Sequence, residues 1–237
     1  MIRLDLDDGI ARLTLDRPEA RNAIPLAGWD DLRARLDEAS GARLLVLSGA
    51  GGAFCAGADL GDFPMFQRDS AARTRFREAM RAAIDSLADA PMPTIAAIDG
   101  ACYGAGVALA LACDVRVAGP QARFAITPAR FGIGYPQEDV HSLALLVGRG
   151  QAARLLFTAE SIDATEAARI GLVEQLGGIE ALVPAIAANE AISLLTLKRA
   201  IGLAAAGTRS SVEQDRDFDE LFGGDALARR LEALRRK

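Results

Sequence analysis

Two short runs in this chain combine residue types suited to chemistry done by the main chain. One is Ala53-Phe54-Cys55-Ala56-Gly57-Ala58-Asp59-Leu60; the other is Asp99-Gly100-Ala101-Cys102-Tyr103-Gly104-Ala105-Gly106. Each is a small-residue turn that follows an apolar, strand-like stretch. Without bulky side chains the backbone approaches a ligand closely and aims N–H groups at it. Two such turns, if they converge, make a pair of backbone donors around a carbonyl oxygen that is gaining negative charge. That arrangement serves acyl or enolate chemistry before any side chain is considered.

Periodicity predicts the elements that must position these turns. Ile10 to Leu15 alternates as a strand and runs into the turn Asp16-Arg17-Pro18-Glu19-Ala20-Arg21-Asn22-Ala23; a helix follows, with Trp29, Leu32 and Leu36 on one stripe. Leu44-Leu45-Val46-Leu47 reads as a buried strand stopped by Ser48-Gly49-Ala50-Gly51-Gly52. Phe76, Met80, Ala83 and Leu87 mark a helix, Thr94 to Ile98 a strand, and Gly104 to Ala112 a helix of small residues. Val115 and Val117 lie on the next short strand, with Phe124 to Ile126 after it. Strands leading through glycine turns into helices indicate an α/β architecture. From Gln137 onward the chain reads almost wholly as helix. Asp163 with Glu166 resembles a capping box with Asp in place of Ser or Thr. Leu227, Leu231 and Leu234 form the stripe of a final helix. A soft boundary near Gly177-Gly178 divides a core, residues 1–178, from a helical region, residues 179–237, that packs on the core or on another subunit.

The composition narrows the function classes. The 237 residues are 51% hydrophobic and 25% charged, enough for a large core. A net charge of −5 argues against a nucleic-acid partner, and the basic end (Arg229-Arg230, Arg235-Arg236-Lys237) reads as the solvated face of the last helix. Three cysteines without a CxxC pair suggest neither a metal site nor a disulfide framework, and a reducing cytoplasm is the expected location. The acidic, alternating start Met1 to Asp8 is unlike a signal peptide. Thr94 to Cys113 is the longest weakly polar stretch; it contains Asp99 and three glycines, so a strand, turn and helix are expected there rather than a membrane span.

Taken in order, several motifs resemble the crotonase (enoyl-CoA hydratase/isomerase) superfamily, from about Leu13 to about Lys198. They are Leu15-Asp16-Arg17-Pro18 with Asn22-Ala23, Phe54 to Leu60, Ile98-Asp99-Gly100 with Gly104-Ala105-Gly106, Ala112-Cys113-Asp114 before a strand, and Gly171-Leu172-Val173. The resemblance implies a spiral of repeated β-β-α units with a C-terminal helical region, assembled as a homotrimer or a dimer of trimers. It implies a coenzyme A thioester as ligand and no separate cofactor. The family's oxyanion donors fall on the backbone N–H groups of Ala58 and Ala105; alanine in place of the usual glycine at the second position keeps the N–H. The CoA moiety is expected near Ala20, Arg21, Ala56, Asp59 and Leu60. Lys198 is expected near its phosphates or, as the alternative, on a solvated helix face.

The sequence departs from this pattern at the acids. A hydratase of the family carries two glutamates that activate water; their positions are Ala108 and Pro128 here, and neither side chain transfers a proton. The segment Phe124 to Pro136 looks most like the branch containing methylmalonyl-CoA decarboxylase, where a tyrosine at the place of Tyr135 sits by the reacting acyl group. Tyr135 is thus a candidate proton donor or carboxylate-orienting group, or a ring packed with its hydroxyl on the backbone. Glu138 and Asp139 either reach the cavity from a helix start or act there as simple N-terminal charges. His141, the only histidine, is an acid/base candidate or a surface residue. Three functions stay open: decarboxylation or double-bond isomerisation through a thioester enolate; acyl-CoA binding without catalysis; and dinucleotide-dependent redox chemistry at Gly104-Ala105-Gly106. The last lacks the third glycine and the acidic residue expected further on.

Overall fold

The computed structural model describes residues 1–235. β1 (Ile2–Asp7) and β2 (Ile10–Leu15) form a hairpin whose two-residue turn, Asp8-Gly9, has both φ angles positive, as a tight antiparallel turn requires. Next come α1 (Leu26–Glu38), β3 (Leu44–Gly49), α2 (Phe63–Arg68), α3 (Ser70–Ala88), β4 (Thr94–Ile98), β5 (Ala101–Tyr103) and α4 (Ala105–Ala112). They are followed by β6 (Val115–Ala118), β7 (Arg123–Ala125), α5 (Gln137–Thr158), β8 (Ile162–Asp163), α6 (Ala164–Arg169) and β9 (Gln175–Leu176). The chain then continues as α7 (Leu182–Ala187), α8 (Ala191–Ala205), α9 (Val212–Phe222) and α10 (Asp225–Arg235).

The strands form a six-stranded sheet, β1-β2-β3-β4-β6-β9, and a three-stranded sheet, β5-β7-β8. From β2 onward the large sheet is parallel. The chain passes from the large sheet to the small one twice, β4 to β5 and β6 to β7, and each time enters a helix afterwards. An isolated parallel bridge between Cys55 and Cys102 adds the stretch after β3 to the small sheet. Each turn of the chain therefore contributes a strand to one sheet, extended chain to the other, and then a helix. This is the β-β-α spiral.

At β3 and β4 both faces of the large sheet are covered, which explains why these two strands are apolar runs while β1 and β2 alternate. Leu45, Leu47, Ala96 and Ile98 face the main core; Leu44, Val46, Ile95 and Val117 face a second cluster closed by Val183 of α7. Trp29 and Leu32 of α1 are fully buried, and α1 packs on α3 and β1. α4 is apolar all round and central; Val107 to Ala110 are fully buried. The start of β6 is fixed to that of β4: Asp114 accepts hydrogen bonds from the Thr94 amide at 2.7 Å and its hydroxyl at 2.9 Å.

β8 and β9 interrupt the stretch expected to be wholly helical after Gln137. Among the described residues no helix is long and apolar enough to cross a membrane.

Candidate active site

The two small-residue turns lie side by side. The Cys55 amide donates to the Ala101 carbonyl at 2.8 Å, and the Tyr103 amide donates to the Cys55 carbonyl at 2.8 Å. Glycine is required where they touch. A Cβ added to Gly106 would lie 2.3 Å from the Cys55 carbonyl oxygen. One added to Gly57, whose φ is +98°, would lie 2.8 Å from the Tyr103 oxygen and 3.3 Å from the Ala105 nitrogen.

This contact leaves two amides free. The Ile24 amide donates to the Gly57 carbonyl at 2.8 Å and the Asp59 amide to the Ile24 carbonyl at 3.0 Å, which turns the Ala58 N–H to the opposite side. Ala105 is the first residue of α4, so its N–H is one of the donors that a helix start leaves unsatisfied. Among the described residues neither amide has a hydrogen-bond partner in the protein. Both residues line one cavity of about 620 Å³.

Ala20, Arg21, Ala56, Asp59 and Leu60 line the same cavity. Asn22, buried and left-handed (φ 59°), fixes this wall. Its Oδ1 accepts from the Arg17 amide at 2.8 Å, and its Nδ2 donates to the carbonyls of Ala50 at 2.9 Å and Ala53 at 2.7 Å. Asp59 is held by an ion pair with Arg17 and by the Gly61 amide at 2.8 Å. The Arg17 hydrogen bond keeps its carboxyl below the ordinary carboxylate range, so Asp59 is a fixed anion and not a proton carrier. The stretch 61–75 is mostly helical and packs through its rings: Phe63 lies 6.0 Å from Phe66, Phe66 stacks on Phe76 of α3 with centroids 4.7 Å apart, and Phe63 lies 6.4 Å from Phe131. Phe63 forms part of the cavity wall.

Tyr135 and Asp139 reach the cavity from the start of α5. The Tyr135 hydroxyl donates to the Gly104 carbonyl at 3.0 Å. Burial raises its pKa well above the usual phenol value, and the nearby Asp139 charge adds to this. Asp139 is 4% exposed. Its Oδ1 accepts from Arg81 Nη1 of α3 at 2.8 Å, while its Oδ2 is buried with no hydrogen-bond partner. Burial raises the Asp139 pKa despite the opposing pull of Arg81, so this carboxylate holds a proton more readily than an ordinary one.

Three expectations need correction or narrowing. Glu138, beside Asp139 in sequence, does not line the main cavity; it lines two neighbouring recesses, because one step along a helix points it to another side. Lys198 is not in the cavity wall either. Its Nζ donates to the Met92 carbonyl at 2.9 Å and pairs with Asp114 at 2.9 Å, so this chain already neutralises the cation expected to meet CoA phosphates. Phe218 and Phe222, whose spacing of four reads from sequence as an anchoring stripe for the C-terminal helix rather than a ligand lid, stack on each other with centroids 5.7 Å apart and face outward. Pro128 lines the main cavity and Ala108 an adjoining one, so both glutamate positions lie at these cavities without an acid. The cysteines are buried thiols: burial pushes Cys55 and Cys113 up to about 12, which removes them as nucleophiles at neutral pH.

Sequence reasoning missed Arg17 and Arg81, the partners of Asp59 and Asp139. The one available signal for Arg81 was its place beside Met80 on the edge of the apolar stripe of α3.

The sequence profile of the enoyl-CoA hydratase/isomerase family matches residues 5–207. A "Probable enoyl-CoA hydratase" of Rhodobacter capsulatus is 40% identical over 73% of this chain and 66% of its own length, so the chain spans about two thirds of that relative. The crotonyl-CoA hydratase of Syntrophomonas wolfei is 33% identical, with 95% of this chain and 88% of that one covered. Among solved structures, an enoyl-CoA hydratase/isomerase family protein from Hyphomonas neptunium superposes with a TM-score of 0.92 at 33% identity, over 98% of this chain and 94% of its own. The architecture is thus the crotonase fold. The chain belongs to the enoyl-CoA hydratase/isomerase family.

Proposed function

We propose that the cavity takes the acyl end of a coenzyme A thioester and that the Ala58 and Ala105 amides receive its carbonyl oxygen as an enolate forms. Both residues line the cavity and neither amide is used inside the protein, which supports this reading. A preorganised donor of this kind contributes about 3–4 kcal/mol to an oxyanion transition state. The wall formed by Ala20, Arg21, Ala56, Asp59 and Leu60 receives the CoA moiety, and no cofactor beyond CoA takes part.

The reaction we favour is isomerisation of a double bond, with Asp139 taking a proton from one carbon and returning it to another. The observation that carries this choice is the buried Asp139 carboxylate in the cavity wall, one oxygen clamped by Arg81 and the other unpartnered. As the C–H bond breaks, its proton goes to the carboxylate and its electron pair moves toward the thioester oxygen. A carboxyl with a raised pKa suits that exchange. Tyr135 is less suited to donating a proton for decarboxylation, because its hydroxyl is committed to Gly104. Hydration through two glutamates lacks both side chains, at Ala108 and Pro128.

The test is incubation with a straight-chain 3-enoyl-CoA, with NMR detection of the 2-enoyl isomer, in the wild type and Asp139→Asn. Isomer formed only by the wild type supports the reading. Binding without turnover across a panel of acyl-CoAs would instead make the protein a non-catalytic acyl-CoA binder. Carbon dioxide release from a 2-carboxyacyl-CoA, unaffected by Asp139→Asn, would point to decarboxylation. We also infer assembly into a homotrimer or a dimer of trimers, supported by outward apolar residues such as Ile201 (70% exposed) and Phe222 (67%); sedimentation equilibrium tests it.

A further inference from the structure

Asp139 belongs to two cavities. Besides the main one, it lines a second of about 440 Å³ between α3, α4 and α5. This second cavity is lined by Arg81 and Asp85 from α3, Ala108 from α4, and Glu138, His141 and Ser142 from α5. Asp85, Glu138, His141 and Ser142 are exposed, so it opens to solvent. Ala108 keeps the inner end open, since its side chain stops at Cβ. Of the described residues that line this second cavity, Asp139 is the one that also lines the main cavity, and its clamp, Arg81, also pairs through Nε with Asp85 at 2.9 Å.

We propose that the second cavity is the solvent side of Asp139, the route by which a proton taken from the acyl group exchanges with water without passing the CoA-filled mouth. This rests on the enolate reading above. The substrate Cα–H bond breaks; the proton passes to an Asp139 oxygen and the electron pair to the enolate. The carboxylic acid then gives that proton to a water in the second cavity and takes back another from it. The enolate carbon finally receives the exchanged proton, and no oxidant or further reactant is consumed. On its solvent side the second cavity carries Asp85, Glu138, Arg81 and His141, all able to hold ordered water, beside the apolar Ile84 and Leu111; the last step to the buried carboxyl is a local opening.

The experiment uses butanoyl-CoA, a saturated thioester that enolises but has no double bond to move. Exchange of its α-protons in D₂O is followed by NMR with the wild type, with Ala88→Leu/Ser142→Leu, and with Ser142→Ala. Ala88 also lines the second cavity and is exposed, so the double variant narrows its mouth without touching the main cavity, whereas Ser142→Ala leaves it open. Exchange slower by about tenfold in the double variant, at the wild-type rate in Ser142→Ala, and with thioester affinity unchanged in both, is the expected result. In the isomerisation of a 3-enoyl-CoA the double variant then also returns less solvent deuterium to the product. Wild-type exchange in the double variant overturns the route while leaving Asp139 as the base. If the wild type binds butanoyl-CoA and exchanges nothing, the enolate reading fails and the route falls with it.

Discussion

The hydroxyl of Tyr135 donates to the carbonyl oxygen of Gly104 at 3.0 Å, and that bond joins the start of α5 to the residue just before Ala105. The same carbonyl accepts from the Val107 amide at 3.0 Å, so Gly104 is held from two sides and the direction of the Ala105 N–H is held with it. Because burial raises the Tyr135 pKa, the phenol stays protonated across the neutral range and serves as a positioning group. A neutral hydrogen bond of this kind is worth about 1 kcal/mol. Tyr135→Phe is therefore expected to lower kcat by no more than about fivefold, with an unchanged pH profile. A loss beyond about 100-fold, measured by steady-state kinetics, would show the hydroxyl to be the proton donor that decarboxylation needs.

Asp139→Asn removes the proposed base and keeps the shape. The expected loss in kcat is about 10²–10⁴-fold, with thioester affinity retained. The pH profile carries a second check. A base works only when deprotonated, so kcat rises with pH through the Asp139 pKa. Burial raises that pKa, and Arg81 opposes the rise; Asp85 and Glu138 supply the other nearby negative charges. The acid limb therefore lies above the ordinary carboxylate value of about 3.9. Arg81→Gln deletes the opposing charge and moves the limb further up, while Arg81→Lys brings it partly back. A limb that stays in place in Arg81→Gln would disconnect Asp139 from the titration.

Ala105→Pro tests a main-chain donor directly. Proline is tolerated in the first turn of a helix, where the amide has no helical partner, and Ala105 opens α4. The substitution deletes the N–H and puts the ring Cδ where that hydrogen pointed, so it removes the donor and fills its place at once. A fall in kcat of about 10²–10³-fold with Tm nearly unchanged is expected. Activity near the wild-type level in a folded variant would remove this amide from the oxyanion site.

The fold was legible where the signal is local. Thr94 to Ile98 and Ile10 to Leu15 are strands with the bounds expected, because apolar runs and alternation are properties of neighbours in sequence. β8 and β9 were not legible: two residues carry no period, and these strands exist through distant pairings, Phe124 with Ile162 and Val117 with Gln175. The Asp163 cap was half legible. Its side chain accepts from the Glu166 amide at 2.9 Å, but Glu166 turns to Arg154 and Arg169 rather than back to Asp163. At the site, the two turns announced themselves through composition, and the cavity-wall residues Ala20, Arg21, Ala56, Asp59 and Leu60 through a resemblance. The choice between Glu138 and Asp139 did not, since it depends on Arg81, 58 positions away in the chain. The partner of Lys198 was hidden for the same reason: the resemblance left CoA phosphates or a solvated face, and Asp114, 84 positions earlier in the chain, is the anion it meets in this chain.

Glu166 offers a stability test that is independent of catalysis. Hydrogen bonds from Arg169 and then Arg154 hold its carboxyl down at about 2, against an ordinary 4.5. The folded-state pKa is thus the lower one, so the fold favours the ionised form. Its contribution to stability is full above the unfolded value and is lost as pH falls from there through the folded one. Glu166→Gln is expected to lower Tm at neutral pH. The gap to the wild type should narrow below pH 4.5 and be nearly closed at pH 2, where about half of the folded-state carboxyl is already protonated. Added salt should narrow it at neutral pH as well, because the group is open to solvent. Thermal melts of both proteins across that range decide the matter: a gap that persists at pH 2 would assign the loss to packing against Arg154 and not to the charge.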